Sequence, residues 1–211
     1  MPRHRTQTQP NEPRVSLTVR ERIVGGARKH FFAHGFRGVT MDDLAAELGM
    51  SKKTLYAHFR SKPALVEAVI LDKAADLEAE LGRIEAECSD DFPEALRAML
   101  TCMQRHAEEV RPPFVRDMRQ TAPDLFKTVE ARRAAIIQRY FGKLFADGRR
   151  AGMVRTDLPP QLAIEILLGA IQAIVNPQKL AELGLTPQAT VPAIISVVLN
   201  GVLTPAGRKR R

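Results

Sequence analysis

Three observations predict an all-α chain. Apolar residues recur at three- and four-residue spacing along nearly the whole length. The periodic stretches open at Ser, Thr, Asp or Pro and several close at Gly. No strand-like alternation, no internal repeat and no parallel-sheet pattern interrupts them. About nine helices result, in an N-terminal three-helix helix-turn-helix domain and a larger C-terminal helical domain. A length of 211 residues with 45% apolar content suits one large domain or two small ones.

Residues 1–16, with Pro2, Pro10, Pro13 and scattered Arg, read as a disordered basic arm. The first helix covers 18–34, with Val19, Ile23, Ala27 and Phe31 on one face and Gly35 as its stop. Gly25 and Gly26 inside it each cost about 1 kcal/mol relative to Ala, so packing must override them or the helix is locally soft. Thr40 caps a second helix, Asp43 completing a variant capping box, and Met41, Leu44, Ala45 and Leu48 form its apolar face. Gly49 takes the left-handed position at its end. Ser51 then caps a third helix whose Leu55 and Phe59 turn inward, leaving Lys52, Lys53, Thr54, Tyr56 and His58 largely outward.

A fourth helix over 61–89 would be roughly 40 Å long, enough to join a small domain to a second body. A fifth, built on Phe92, Leu96, Met99, Leu100, Met103 and Val110, is broken at Arg111-Pro112-Pro113. A short helix over 114–120, a long one over 123–148, a turn over 152–160 and two last helices over 160–175 and 187–203 complete the set. The domain boundaries are therefore 17–62 for the DNA-binding unit, 63–204 for the second domain and 205–211 for a basic tail. The last two helices are apolar around nearly their whole circumference, which demands burial on more than one side. A homodimer sealed by a four-helix bundle satisfies that demand. The residues assigned to its interface are Leu162, Ile166, Leu167, Ile171, Ile174, Ile194, Ile195, Val198, Leu199 and Val202.

Net charge is +8, and the segment from Arg20 to Lys62 alone holds nine bases against four acids. Basic surface and helix-turn-helix coincide, which favours a polyanion as partner. Two cysteines, Cys88 and Cys102, give no disulfide framework; they suit a reducing compartment as inert thiols or, less simply, a redox pair. No signal peptide or bilayer-spanning segment is evident, so a cytoplasmic protein without membrane partners is expected. No Ser-His-acid set, glycine-rich phosphate loop or zinc spacing appears, and His30 with His34 lacks a third ligand nearby. Neither an enzyme, a cofactor nor a metal is expected.

The run Ile23 to Phe36 followed by Thr40 to Leu65 resembles the N-terminal domain of TetR-type transcriptional regulators. Ile23, Ala27, Phe31, Gly35, Thr40, Leu44, Ala45, Gly49, Ser51, Thr54, Leu55, Tyr56, Phe59, Lys62 and Leu65 carry the match. Beyond Ser89 only the architecture is similar, in the 148–160 turn and the two apolar helices after it. The resemblance implies that Thr40 donates to a phosphate, that Tyr56 and His58 reach the DNA backbone, and that Lys62 neutralises a phosphate. Ser51 opens the recognition helix, and Lys52, Lys53 and Thr54 would read bases, Lys through guanine O6 and N7. Lys53 departs from the family, where a small residue is common. Arg3 and Arg5 could enter a minor groove.

The function so implied is a sequence-specific DNA-binding regulator. It would be a homodimeric repressor released from a pseudo-palindromic double-stranded operator by a small apolar or aromatic effector. A sequence-indifferent, nucleoid-type DNA-binding protein is the alternative. Met99, Met103, Phe114, Met118, Phe126 and Tyr140 either line the effector pocket or are plain core. Glu108 and Asp117 are the nearest acids to pair a cationic effector.

Overall fold

The computed structural model describes residues 18–209; the expected arm over 1–16 and the last two arginines lie outside them. The described residues form eleven helices: α1 (Val19–His34), α2 (Met41–Glu47), α3 (Lys52–His58), α4 (Lys62–Glu87), α5 (Phe92–Glu108), α6 (Pro112–Thr121), α7 (Pro123–Arg150), α8 (Pro160–Ile174), α9 (Pro177–Leu183), α10 (Pro187–Val202) and α11 (Pro205–Lys209). Two of them, α9 and α11, were not expected. Asn176 caps α9 by accepting the Lys179 N–H at 2.9 Å, Pro177 starts it and left-handed Gly184 ends it. Pro205 begins α11 in the same way, so most of the expected basic tail is helical. Among the described residues, β pairing is limited to one antiparallel bridge between Val154 and Leu203.

Local signals account for most helix ends. Thr18 and Glu21 form a reciprocal capping box at α1, as Thr40 and Asp43 do at α2. Gly35 stands at φ 81°, and a Cβ there would lie 2.4 Å from an Asp117 carboxylate oxygen. Only glycine satisfies both conditions. Gly26 brings α1 against Leu48 at the end of α2, the packing that offsets its poor helix propensity.

The chain builds two hydrophobic cores, and α4 belongs to both. The head core gathers Ile23, Phe31 and Phe32 of α1, Leu44 of α2, Leu55 of α3, Leu65 to Ile70 of α4, and Phe114 and Met118 of α6. The body core gathers Leu77 and Leu81 of α4 with buried faces of α5, α7, α8 and α10. Beyond Lys62, the first two turns of α4 together with Phe114 and Met118 of α6 close the head core. The aromatic rings of Phe32, Phe36 and Phe114 stack edge-on in that closure, with centroids 4.9 and 5.7 Å apart.

Between Ile70 and Leu77 the α4 face turns polar, and ions hold the seam. The Arg28 side chain, only 15% exposed, meets Asp72 at 2.9 Å, Asp76, and Glu109 in a bidentate pair at 2.8 and 3.0 Å. Lys73 also reaches Glu109. Next to this cluster the Arg111 N–H donates to the Phe32 carbonyl at 3.0 Å, tying the α5–α6 turn to α1. Below this seam, α8 and α10 pack on each other and on the body. Among the described residues no single helix is long and apolar enough to cross a membrane.

Burial opposes ionisation of Glu109, but hydrogen bonds from Arg28 and Lys73 outweigh it and hold the carboxyl at about 2, against 4.5 ordinarily. A carboxyl depressed by folding stabilises fully above its ordinary value and loses that contribution as the pH falls toward 2. The urea midpoint of the wild type should therefore fall more steeply from pH 5 to about pH 2 than that of Glu109→Gln. Parallel curves would refute the assignment.

Candidate nucleic-acid interface

Helix α3 presents one apolar and one polar side because seven residues make two turns. Leu55 is fully buried and Phe59 nearly so, and they anchor the helix on the head core. Lys52, Lys53, Tyr56 and His58 are exposed, Tyr56 at 46%. Gly49, at φ 62°, lets the chain turn from α2 into α3 within four residues, the spacing of a helix-turn-helix. The outward residues on α3 thus include two ammoniums, a phenol and an imidazole, a donor set for phosphates and base edges.

Hydrogen bonds divide the expected contact residues into free and engaged. Lys53 has no partner among the described residues. Lys52 pairs with Asp42 of α2 at 2.5 Å, and that hydrogen bond raises its ammonium above the ordinary range. Ser51 is the α3 cap, accepting the Thr54 N–H at 3.0 Å, and its hydroxyl lies 2.8 Å from the Thr54 hydroxyl. These two polar groups satisfy each other at the helix start. Thr40 donates its hydroxyl to Asp43 at 2.7 Å, and its hydrogen bonds hold the Asp43 carboxyl below the usual range. That donor must leave Asp43 before it can reach a phosphate.

Lys62 departs from the expectation. Its ammonium donates to the carbonyls of Phe36, Arg37 and Val39 at 3.0, 3.2 and 2.8 Å. An ammonium has three hydrogens and all three are engaged, so Lys62 clamps the α1–α2 turn to the start of α4. Asp117 was equally unexpected in its role. Buried at 6% exposure, it accepts the N–H groups of Phe36 and Arg37, each at 2.9 Å, and fixes the same turn from α6. Glu108 is exposed and accepts a hydrogen bond from the Gln104 amide at 2.9 Å. His30 bonds Glu47 across α1 and α2 at 2.8 Å. Basic residues flank the interface at Arg37 and Arg60, both exposed, while Arg20 lies over the Phe59 ring at 5.1 Å.

The residues expected to line an effector pocket do not come together. Phe114, Met118 and Phe126 pack in the head core; Met99, Met103 and Tyr140 pack in the body core. The Tyr140 hydroxyl donates to the Glu78 carbonyl at 3.0 Å, so it already has a partner. Met99 and Tyr140 alone border a cleft of about 310 Å³ that also touches Cys88, Phe92, Lys143 and Asp147. The expected dimer residues divide as well. Leu167, Ile194, Leu199 and Val202 are buried within the chain, whereas Leu162 and Ile166 are exposed at 44% and 51%. Ile171, Ile174, Ile195 and Val198 are half-buried. Val197, exposed at 74% and absent from the expected interface, lies on α10 four residues from Gly201 and Ala193. The wholly apolar circumference of these helices concealed which side faces inward.

The model of bacterial regulatory proteins of the tetR family matches residues 23–69, from the buried Ile23 of α1 to the last head-core turns of α4. MftR of Mycobacterium tuberculosis, a protein assigned to transcriptional regulation of mycofactocin biosynthesis, is 30% identical over 169 residues, covering 76% of this chain and 81% of the relative. The chain belongs to the tetR family. It is a helix-turn-helix transcriptional regulator. The Bacillus subtilis regulator YvaF is 27% identical over 166 residues, covering 77% of this chain and 85% of that one. The same fold occurs in SmeT, the repressor of the Stenotrophomonas maltophilia multidrug efflux pump SmeDEF. Its TM-score is 0.66 at 18% identity, covering 90% of this chain and 93% of that one. SmeT has also been solved as a complex with triclosan, with a TM-score of 0.65.

These geometries separate two lysines that look alike in sequence. Lys53→Ala should weaken DNA binding and reduce the salt slope by about one, or relax the preference at one base position, with stability unchanged. Lys62→Met should leave the salt slope unchanged and lower unfolding stability by about 1.5–3 kcal/mol, since hydrogen bonds to a charged group are lost. Fluorescence anisotropy across a salt series with urea unfolding of each variant checks both, and the reverse pattern would refute the division.

Proposed function

We propose that the protein is a homodimeric repressor whose paired α3 helices grip a pseudo-palindromic operator, and that a small apolar or aromatic effector entering the body releases it. The exposed apolar strip of α8 and α10 carries this reading. Leu162, Ile166 and Val197 are left in water on one chain, and Gly169 and Gly201 have open space where a Cβ would stand. Such a strip flanked by small residues is suited to close packing against its own copy. A dyad there would place two recognition helices on one face, so half-sites about 34–36 Å apart, or a multiple, would be read.

The proposed contacts are Lys52, Lys53 and Thr54 to bases, Tyr56, His58 and Thr40 to the backbone, and Ser51 as the α3 cap. The domain roles follow the cores: α1 to α3 with the start of α4 hold DNA, and the remainder binds effector and partner. Repression is supported by the name of SmeT, and an apolar aromatic effector by its triclosan complex. Met99 and Tyr140, which border the cleft between α4, α5 and α7, are the residues of the expected set closest to such a site. A route to the heads exists through α6, whose Asp117 holds the Phe36–Arg37 turn. A hundredfold loss of operator affinity requires about 2.7 kcal/mol of coupling, within the ordinary range.

Val197→Glu and Ile166→Glu each place a charge in the proposed seam. Sedimentation should show a dimer for the wild type and monomers for the variants, with operator affinity lost while helical content is retained. Wild-type protein that sediments as a monomer, or binds scrambled DNA as tightly as a palindrome, would refute the proposal and favour the nucleoid-type alternative.

A further inference from the structure

A cluster of metal-ligating side chains lies apart from the DNA face and from the apolar strip. Cys102 and His106 stand four apart on α5 and so share one face; Glu80 of α4 points at them. One ligand atom from each, sulfur, nitrogen and oxygen, lies within 4.8 Å of the other two. The His106 Nε2 already sits 3.0 Å from a Glu80 carboxylate oxygen. Cys102 is 3% exposed, and the side chains of His106 and Glu80 are 11% and 22% exposed. We propose that Glu80, Cys102 and His106 form a binding site for a borderline transition-metal dication, Zn²⁺ foremost, which fastens α5 to α4.

Three features support the site. The donors are mixed S, N and O, a set that suits Zn²⁺ and its neighbours and does not suit Mg²⁺ or Ca²⁺, which take oxygen. Ligand atoms sharing one tetrahedral Zn²⁺ lie about 3.3–3.6 Å apart, so closing this triangle requires side-chain shifts of about 1 Å and no helix movement. The Glu80 carboxylate is oriented from two sides, by His106 at Oε2 and by Arg105 at Oε1. Arg105 binds Oε1 and is itself 63% exposed, which leaves Oε2 for the cation and gives the ligand an outer hydrogen bond.

The location gives the site a consequence. Asp72, Asp76 and Glu80 follow at four-residue intervals along α4, so the cluster is the next turn beyond the Arg28 seam. His106 is likewise three residues from Glu109. A cation there would stiffen the α4–α5 contact directly beneath the joint between head and body.

The test uses untagged full-length protein stripped with a chelator. Titration against a chromophoric chelator should show one tightly held Zn²⁺ per chain. Co²⁺ should give a thiolate-to-metal charge-transfer band with tetrahedral visible bands. Cys102→Ser should abolish the charge-transfer band, and Cys102→Ser and His106→Gln should each weaken Zn²⁺ by at least about tenfold. Cys88→Ser should change neither. Circular dichroism of the metal-free variants verifies the fold, and His106→Gln keeps the test decisive should Cys102→Ser misfold. No stoichiometric Zn²⁺ in the wild type, or binding that survives both substitutions, would overturn the proposal and leave Glu80 and His106 as an interhelical hydrogen bond.

Discussion

The Arg28 guanidinium is the joint on which the molecule turns. It is nearly buried and carries carboxylates from two helices, Asp72 and Asp76 of α4 and Glu109 from the end of α5. On one side of it α4 packs into the head, on the other into the body. A helix common to two cores could transmit strain or simply bend between them. Charges with shared hydrogens oppose bending, because moving either helix breaks charge-assisted hydrogen bonds to a largely buried guanidinium.

Two further links fix the same place. Lys62 gathers three carbonyls of the α1–α2 turn, and Asp117 takes two N–H groups of that turn from the opposite side. The turn that leads into the helix-turn-helix is thus held by one cation from α4 and one anion from α6. A movement of α6 cannot occur without altering the support of α2. In this arrangement the head is anchored at its base by helices of both cores, the kind of connection through which a distant event can reposition a recognition helix.

The head was legible in sequence because each of its elements carries a local signal. Thr40, Asp43, Gly49 and Ser51 specify two helix ends and a turn by residue type alone, and Leu55 with Phe59 fixes which side of α3 is hidden. The Asn176-Pro177 start and Gly184 stop of α9 are equally local signals, in the stretch between the two last expected helices. Roles that depend on distant partners were not legible. Lys62 reads as a phosphate ligand until its carbonyls are seen, and Asp117 reads as a pocket acid until the Phe36 and Arg37 amides are seen. The Met and aromatic set was split because helical periodicity shows that a side is buried without showing in which of two cores. For α8 and α10, apolar residues all round left the inward side unspecified. Cys102, His106 and Glu80 escaped notice because 22 residues and a helix turn separate the acid from the thiol.

The claim that the Arg28 cluster joins head to body is tested most directly by amide hydrogen exchange on Arg28→Met against the wild type. The account predicts faster exchange in α1 and at the C-terminal end of α5 together, with the body amides of α7 and α8 unchanged. Exchange in α1 that stays at wild-type rates would contradict it, and would place the coupling of the two cores in apolar packing along α4 alone.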